Sequence, residues 1–334
     1  MIRKLFFLAT ILLLTILTAC GQSSSGNSDL EGESFVLKVG IVMNDNDPMY
    51  DGIMKFKEGV EERTNGNVEV EVYPSSQLGD TGDLLEQAKV GANIATLIDA
   101  GPLGDMVKEI SILQAPYIVD NLEEAQKLVT SDLFKEWEAQ LEPEGLKVLS
   151  FNWFQGSRHL ATTKPVTMPQ DLNGMAIRTN GSAIVNKAIE TMGGNPTGLA
   201  WAESYPGLQQ GVIDGVEAHY SAIYGARLPE VVSSISKTGH FQLLTGLTVG
   251  MSWFNSLPGE YQAIVVEEAA NAGAFATNIN VEKEQEYEEQ IKAEGVEIIE
   301  VDINEFKEMS NQFYEDLPEL EEVREQVNQA LGKS

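Results

Sequence analysis

The chain has 334 residues, with 22 Lys and Arg against 51 Asp and Glu, a formal charge of −29 and 43% apolar residues. That composition belongs to a folded chain of about two domains that can bury a sizeable core. It leaves no basic face for a polyphosphate, which argues against nucleic acid as a partner, while a small anion can still be held in a locally positive pocket.

In chain order, Arg3 and Lys4 open an N-terminus whose next stretch, 5–17, is almost wholly apolar. That is the length of a signal-peptide core and short for a membrane span. It ends in Leu17-Thr18-Ala19-Cys20, which resembles the lipobox of bacterial lipoproteins. The resemblance implies a signal peptide over 1–19 and lipidation of Cys20. Cys20 is the only cysteine, so disulfides and cysteine-based metal or nucleophile chemistry have no residues to use. Residues 20–33, rich in Ser, Gly and Asn, read as a flexible tether. The body is thus expected outside the cytoplasm, anchored to a membrane through Cys20, on the outer face of the cell membrane or as a periplasmic lipoprotein.

From Phe35 the pattern alternates strand and helix, which argues an α/β fold. Strands are expected at 36–42, 68–73, 94–98, 146–151, 175–178 and 247–254. Helices are expected at 49–64, 83–90 and 182–192. The first has Met49, Ile53, Phe56 and Val60 on one face and Asn65-Gly66 as its stop. Pro258 opens a helical stretch over 259–294 that would be about 54 Å long and therefore spans more than one domain. A charged helix closes the chain at 315–333.

Catalytic signals are scarce. His159, His219 and His240 do not share a helix-face ligand spacing, no Gly-rich phosphate loop follows a strand, and no nucleophile elbow is present. No enzyme, metal or cofactor is expected. Two arginines stand out from the acidic background. Arg158 and Arg178 each follow an expected strand, where open α/β folds place ligands. A guanidinium offers a planar fork to a carboxylate, and Trp153 and Trp201 offer flat apolar walls.

The collinear motifs around these residues carry a family resemblance. They are Tyr73-Pro74-Ser75-Ser76-Gln77-Leu78-Gly79, Gly156-Ser157-Arg158-His159, Asp171-Leu172-Asn173-Gly174-Met175-Ala176-Ile177-Arg178, Gly194-Asn195-Pro196-Thr197, Trp201, Gly211-Val212-Ile213-Asp214-Gly215 and Thr238-Gly239-His240. In order and spacing, over about 35–330, they resemble the solute-binding proteins of tripartite ATP-independent periplasmic (TRAP) transporters. The resemblance implies a two-lobed, periplasmic-binding-protein-like α/β fold with a hinged cleft and a long helix crossing both lobes. Lobe one is expected at 34–154 plus 243–283, and lobe two at 155–242 plus 284–334. It also implies capture of a small organic acid, a sugar acid or a dicarboxylate, for delivery to membrane permease subunits.

Residue by residue, the family's carboxylate-holding arginine falls on Arg178, its second arginine on Arg158 and its ligand-packing aromatic on Trp201. Glu217 matches the family, but Ala218 stands where an Asn is usual, so one expected hydrogen bond is lost. Tyr220 and His219 are the candidates to restore polarity. Asp99 and Asn44 fall where first-lobe polar contacts occur in relatives, and His240 matches a family position that suits a structural role equally. Carboxylates at Glu217 and Asp99 would repel a second ligand carboxylate, favouring a hydroxylated monoacid, unless they neutralise Arg158 instead. A surface-anchored, ligand-sensing receptor domain of the same fold is the rival expectation.

Overall fold

The computed structural model describes residues 34–333. Cys20, the leader and the tether lie outside the described residues. Along the chain the strands are β1 (Phe35–Gly40), β2 (Val68–Tyr73), β3 (Ile94–Asp99), β4 (Leu146–Ser157), β5 (His159–Thr162) and β6 (Ala176–Thr179). They continue with β7 (Asn195–Gly198), β8 (Gly215–Ala218), β9 (Ser234–Ser236), β10 (Gln242–Gly250) and β11 (Glu297–Ile299). They form two sheets, ordered β2-β1-β3-β10-β4 and β11-β9-β5-β8-β6-β7.

The first sheet starts as a parallel unit. β1 pairs with β2 and β3, and the helix Pro48–Arg63 makes the crossover between β1 and β2. Asp47 caps that helix by accepting from the Met49 N–H at 2.8 Å, Pro48 supplies a pre-set first turn, and Asn65 and Gly66 at positive φ end it. β10 then enters antiparallel between β3 and β4, buried along its whole length. Burial on both faces removes the alternation that marks a half-exposed strand, so its expected position, 247–254, is displaced. The strand begins at Gln242, and Met251–Ser256 is helical.

β4 also runs further than expected, to Ser157, because it stays paired with β10 up to Gln242. The ladder shifts register between Leu243 and Leu244: Leu243 faces Gly156 and Leu244 faces Phe154, leaving Gln155 without a partner. Gly156, at φ 123, permits the bend. The chain then passes through one residue, Arg158, into β5 of the second sheet. It returns to the first sheet through 237–241. The two crossings touch, since the Arg158 N–H donates to Phe241 O at 2.9 Å and the His240 N–H to Arg158 O at 3.2 Å.

The third connection is the 35-residue helix Gly259–Ala293, about 52 Å long. Its early turns pack on the Pro48–Arg63 helix, where Gly52 lets Ala276 approach: a Cβ on Gly52 would sit 2.6 Å from the Ala276 Cβ. Its late residues Tyr287 and Ile291 join the core under the second sheet with Val216 and Ile235. The long helix therefore crosses both halves, as the family resemblance implied. The C-terminus forms two helices, Ile303–Asp316 and Glu319–Leu331, separated at Pro318. Phe313, Leu320, Val327 and Leu331 lie in one core with Ile110, Leu113 and Leu128. The chain end thus returns to the half that holds the first sheet. Among the described residues, no helix is long and apolar enough to cross a membrane.

Candidate functional site

A cavity of about 530 Å³ lies between the two sheets. Its size suits a small ligand. From the first half come the ends of β1 and β3, the helix Thr81–Lys89 and Gln155; from the second come Arg158, Arg178, Asn180, Ser182, Trp201 and His219.

Arg178 sits on β6, locked into the sheet by its pairing with Thr197 and Val216. It is 5% exposed, and its Nε donates to Leu199 O at 2.9 Å. Its guanidinium lies 5.2 Å from the centre of the Trp201 ring. Among the described residues it makes no ion pair. Burial works against its charged form, offset in part by the field of Glu217, Asp80 and Asp99. A buried cation on a cavity wall without a carboxylate partner is unfavourable unless something anionic arrives.

Arg158 is the opposite case. Its Nε meets Glu217 Oε2 at 2.6 Å, one terminal nitrogen donates to Glu217 O at 2.6 Å, and the other faces His219 Nδ1 at 3.1 Å. Glu217 is 1% exposed and does not line the cavity. It neutralises Arg158, which was one of the two roles open to it in the sequence. A guanidinium can only donate, so His219 Nδ1 accepts and the ring is neutral with its proton on Nε2. Burial pushes all three histidines down, His159 to about 3, and so holds them uncharged.

The remaining expected residues divide. Asp99 lines the cavity and accepts from Asn180 Nδ2 at 3.1 Å and Gln114 Nε2 at 3.4 Å. Asn44 does not reach this cavity. It lines a smaller one of about 220 Å³ beside it and donates to Gly225 O at 2.9 Å. Next to it Asp47 accepts from Ser221 Oγ at 2.9 Å. Those two bonds and Asp99–Asn180 join residues of one half to residues of the other. Tyr220 points away, donating to Glu288 at 3.0 Å. His240 is fully buried, with Nδ1 at 2.8 Å from Thr238 Oγ1. Ala218 lies in the apolar core beneath the second sheet. Gln155, Asn180, Ser182 and the acidic helix edge Asp80, Asp83 and Glu86 also line the cavity, and sequence patterning did not mark them. Among the described residues, no group of three or more His, Cys, Asp or Glu is arranged to hold a metal ion.

The comparisons agree on the family. Residues 39–321 match the model of the bacterial extracellular solute-binding proteins, family 7. The 2,3-diketo-L-gulonate-binding periplasmic protein YiaO of Escherichia coli is 28% identical over 280 residues, 84% of each chain. A TRAP periplasmic solute-binding protein of Actinobacillus succinogenes with bound L-galactonate superposes with a TM-score of 0.86 at 32% identity, covering 89% of this chain and 99% of its own. An apo, open TRAP solute-binding protein of Escherichia fergusonii is 37% identical yet superposes with a TM-score of only 0.77, covering 89% and 100%. The chain belongs to family 7. It is a TRAP-type solute-binding protein with the two-lobed fold of that family.

Proposed function

We propose that this protein captures a polyhydroxylated monocarboxylic acid, a sugar acid, between its lobes and delivers it to the membrane permease of a TRAP transporter, acting by binding and without turnover. The observation that carries this is Arg178, a buried guanidinium on the cavity wall with no ion-pair partner among the described residues. A ligand carboxylate there supplies the missing counter-charge, and the bond gains strength from partial desolvation. Asp80, Asp83, Glu86 and Asp99 around the rest of the cavity outweigh Lys89, which is paired with Glu86 at 3.2 Å, and so disfavour a second carboxylate. Gln155, Asn180, Ser182 and Asp99 suit hydroxyl groups, and Trp201 suits the apolar face of a carbon chain. The sugar acids named for the two ligand-binding relatives support the same class.

We read the two lobes from the sheets: 34–157, 242–283 and 313–333 as lobe one, and 158–241 with 284–312 as lobe two. The last segment is moved from the expectation because it packs in the first core. Asn44–Gly225, Asp47–Ser221 and Asp99–Asn180 then bridge the lobes. With the better superposition on the ligand-bound relative than on the open one, these bonds support a closed arrangement. Closure is a hinge motion about the touching crossings at Arg158 and His240, selected by the ligand. We place the protein outside the cytoplasm, held at the membrane by lipid on Cys20 and a tether over 20–33.

Calorimetry of the purified protein against aldonates, uronates, C4-dicarboxylates and neutral sugars tests the reading. Sugar acids are expected to bind, and Arg178→Ala to weaken them by about 3–5 kcal/mol, the cost of breaking a buried charge pair. Binding of neutral sugars alone, or unchanged affinity in the variant, refutes it.

A further inference from the structure

The main cavity and its smaller neighbour share four lining residues: Val42, Met43, Trp201 and Ala222. Residues lining both spaces are the wall between them. Val42 and Met43 follow β1 in the first half, whereas Trp201 and Ala222 belong to the second, so the wall is assembled where the halves meet. Trp201 is by far its largest side chain, and it is steadied against Arg178 at 5.2 Å. The smaller space is roofed by its own inter-lobe bonds, Asn44 to Gly225 at 2.9 Å and Ser221 to Asp47 at 2.9 Å. Its other lining groups include Ser75, Ser76 and Tyr205, which can meet sugar hydroxyls.

We infer that Trp201 is the length stop of the site: it ends the ligand chamber at one acidic sugar and shuts off a second, adjoining chamber of about 220 Å³ that has room for a further sugar ring. Trp201 thus does more than stack on the ligand. It sets which acids fit, admitting an aldonate or uronate and rejecting the same acid extended by a glycosidic ring. The wall selects by steric exclusion, a form of discrimination that needs no added attraction to the accepted ligand. This inference rests on the sugar-acid reading of the main cavity.

The test is calorimetry with a matched pair, D-gluconate and lactobionate, which is gluconate carrying a galactosyl ring. Wild type is expected to prefer gluconate. In Trp201→Ala the affinity ratio of lactobionate to gluconate rises about tenfold to a hundredfold, the range of pocket-fit discrimination. The ratio is the readout because loss of the stack on Arg178 weakens both acids together. Trp201→Phe, which keeps a ring in the wall, shows a smaller rise. Met43→Ala thins the same wall from the other half and replaces Trp201→Ala should that variant not fold. Ala226 lines only the smaller chamber. Trp201→Ala with Ala226→Trp is therefore expected to lose the gain for lactobionate and to bind gluconate as Trp201→Ala does. An unchanged ratio in Trp201→Ala and Met43→Ala, or a gain that survives Ala226→Trp, overturns the length stop while leaving the acid site standing. Failure of wild type to bind gluconate, L-galactonate or D-glucuronate overturns the sugar-acid reading and the length stop with it.

Discussion

Two buried arginines twenty positions apart do opposite work. Arg158 is saturated by Glu217 and His219, whereas Arg178, among the described residues, has its carbonyl partner and a tryptophan but no anion. Removing a partner from a buried pair costs more than removing a lone buried charge. Glu217→Ala is accordingly expected to lower unfolding stability by about 3–5 kcal/mol, measured by denaturant titration, because it strands Arg158. Arg178→Ala is expected to leave the ligand-free protein at least as stable as wild type while weakening acid binding by about 3–5 kcal/mol. Equal destabilisation by both variants would mean that Arg178 has a structural counter-charge. Both arginines were legible in the sequence, because each sits in a motif next to a strand end. The sequence left open whether Glu217 neutralises Arg158 or faces the ligand; the pairing of β5 with β8 sets Glu217 against Arg158.

At the scale of elements, the register shift between β4 and β10 turns Gln155 towards the cavity, and Gly156 at φ 123 completes the bend. A Cβ on Gly156 would stand 3.1 Å from the His219 Cβ. Gly156→Ala therefore strains the backbone and pushes His219, with an expected stability loss of about 1–3 kcal/mol in melts and weakened acid binding. The loop before the Pro48–Arg63 helix is the second informative element. Burial raises the Asp47 carboxyl from its ordinary 3.8 to about 6, against the opposing bonds from Met49 and Ser221. A raised folded value means that protonation favours the folded state, in which Asp47 is buried, although the bond from Ser221 by itself favours the charged form. That stabilisation is complete below about 3.8 and lost as pH rises through about 6. Asp47→Asn keeps the cap and the bond to Ser221 without titrating. The melting-temperature difference, wild type minus Asp47→Asn, is expected to rise as pH falls from about 7 to about 4; a flat difference would mean that burial does not raise the Asp47 carboxyl.

The β1–α–β2 unit and the long helix were legible because caps, periodicity and Asn-Gly stops are local. β10 was misplaced because a strand buried on both faces has no period of two to read. Asn180 escaped notice because its bond to Asp99 across 81 positions leaves no local trace, and Ser182 because its N–H and hydroxyl bond to its neighbour Asn180. The break at Pro318 was present in the sequence but lay inside a run of helix-forming charged residues that masked it.

For the whole molecule, the net charge of −29 sets the approach of any acid. A monoanion is attracted by Arg178 only at short range and repelled by the rest of the surface at long range. Raising salt from about 10 to about 150 mM shortens that repulsion to within roughly 8 Å, so the association rate constant is expected to increase several-fold. Stopped-flow tryptophan fluorescence would measure it; a falling rate would show a locally positive mouth that outweighs the global field.

The three histidines are the side chains whose ordinary titration lies nearest neutrality, and all are packed about the crossing at Arg158 with their protons held off by burial. The pivot between the halves consequently keeps a single protonation state across the range in which most extracellular waters lie. An organism's acidification of its surroundings leaves the axle of this machine unaltered, and the response is felt at the jaw, where Asp47 meets Ser221.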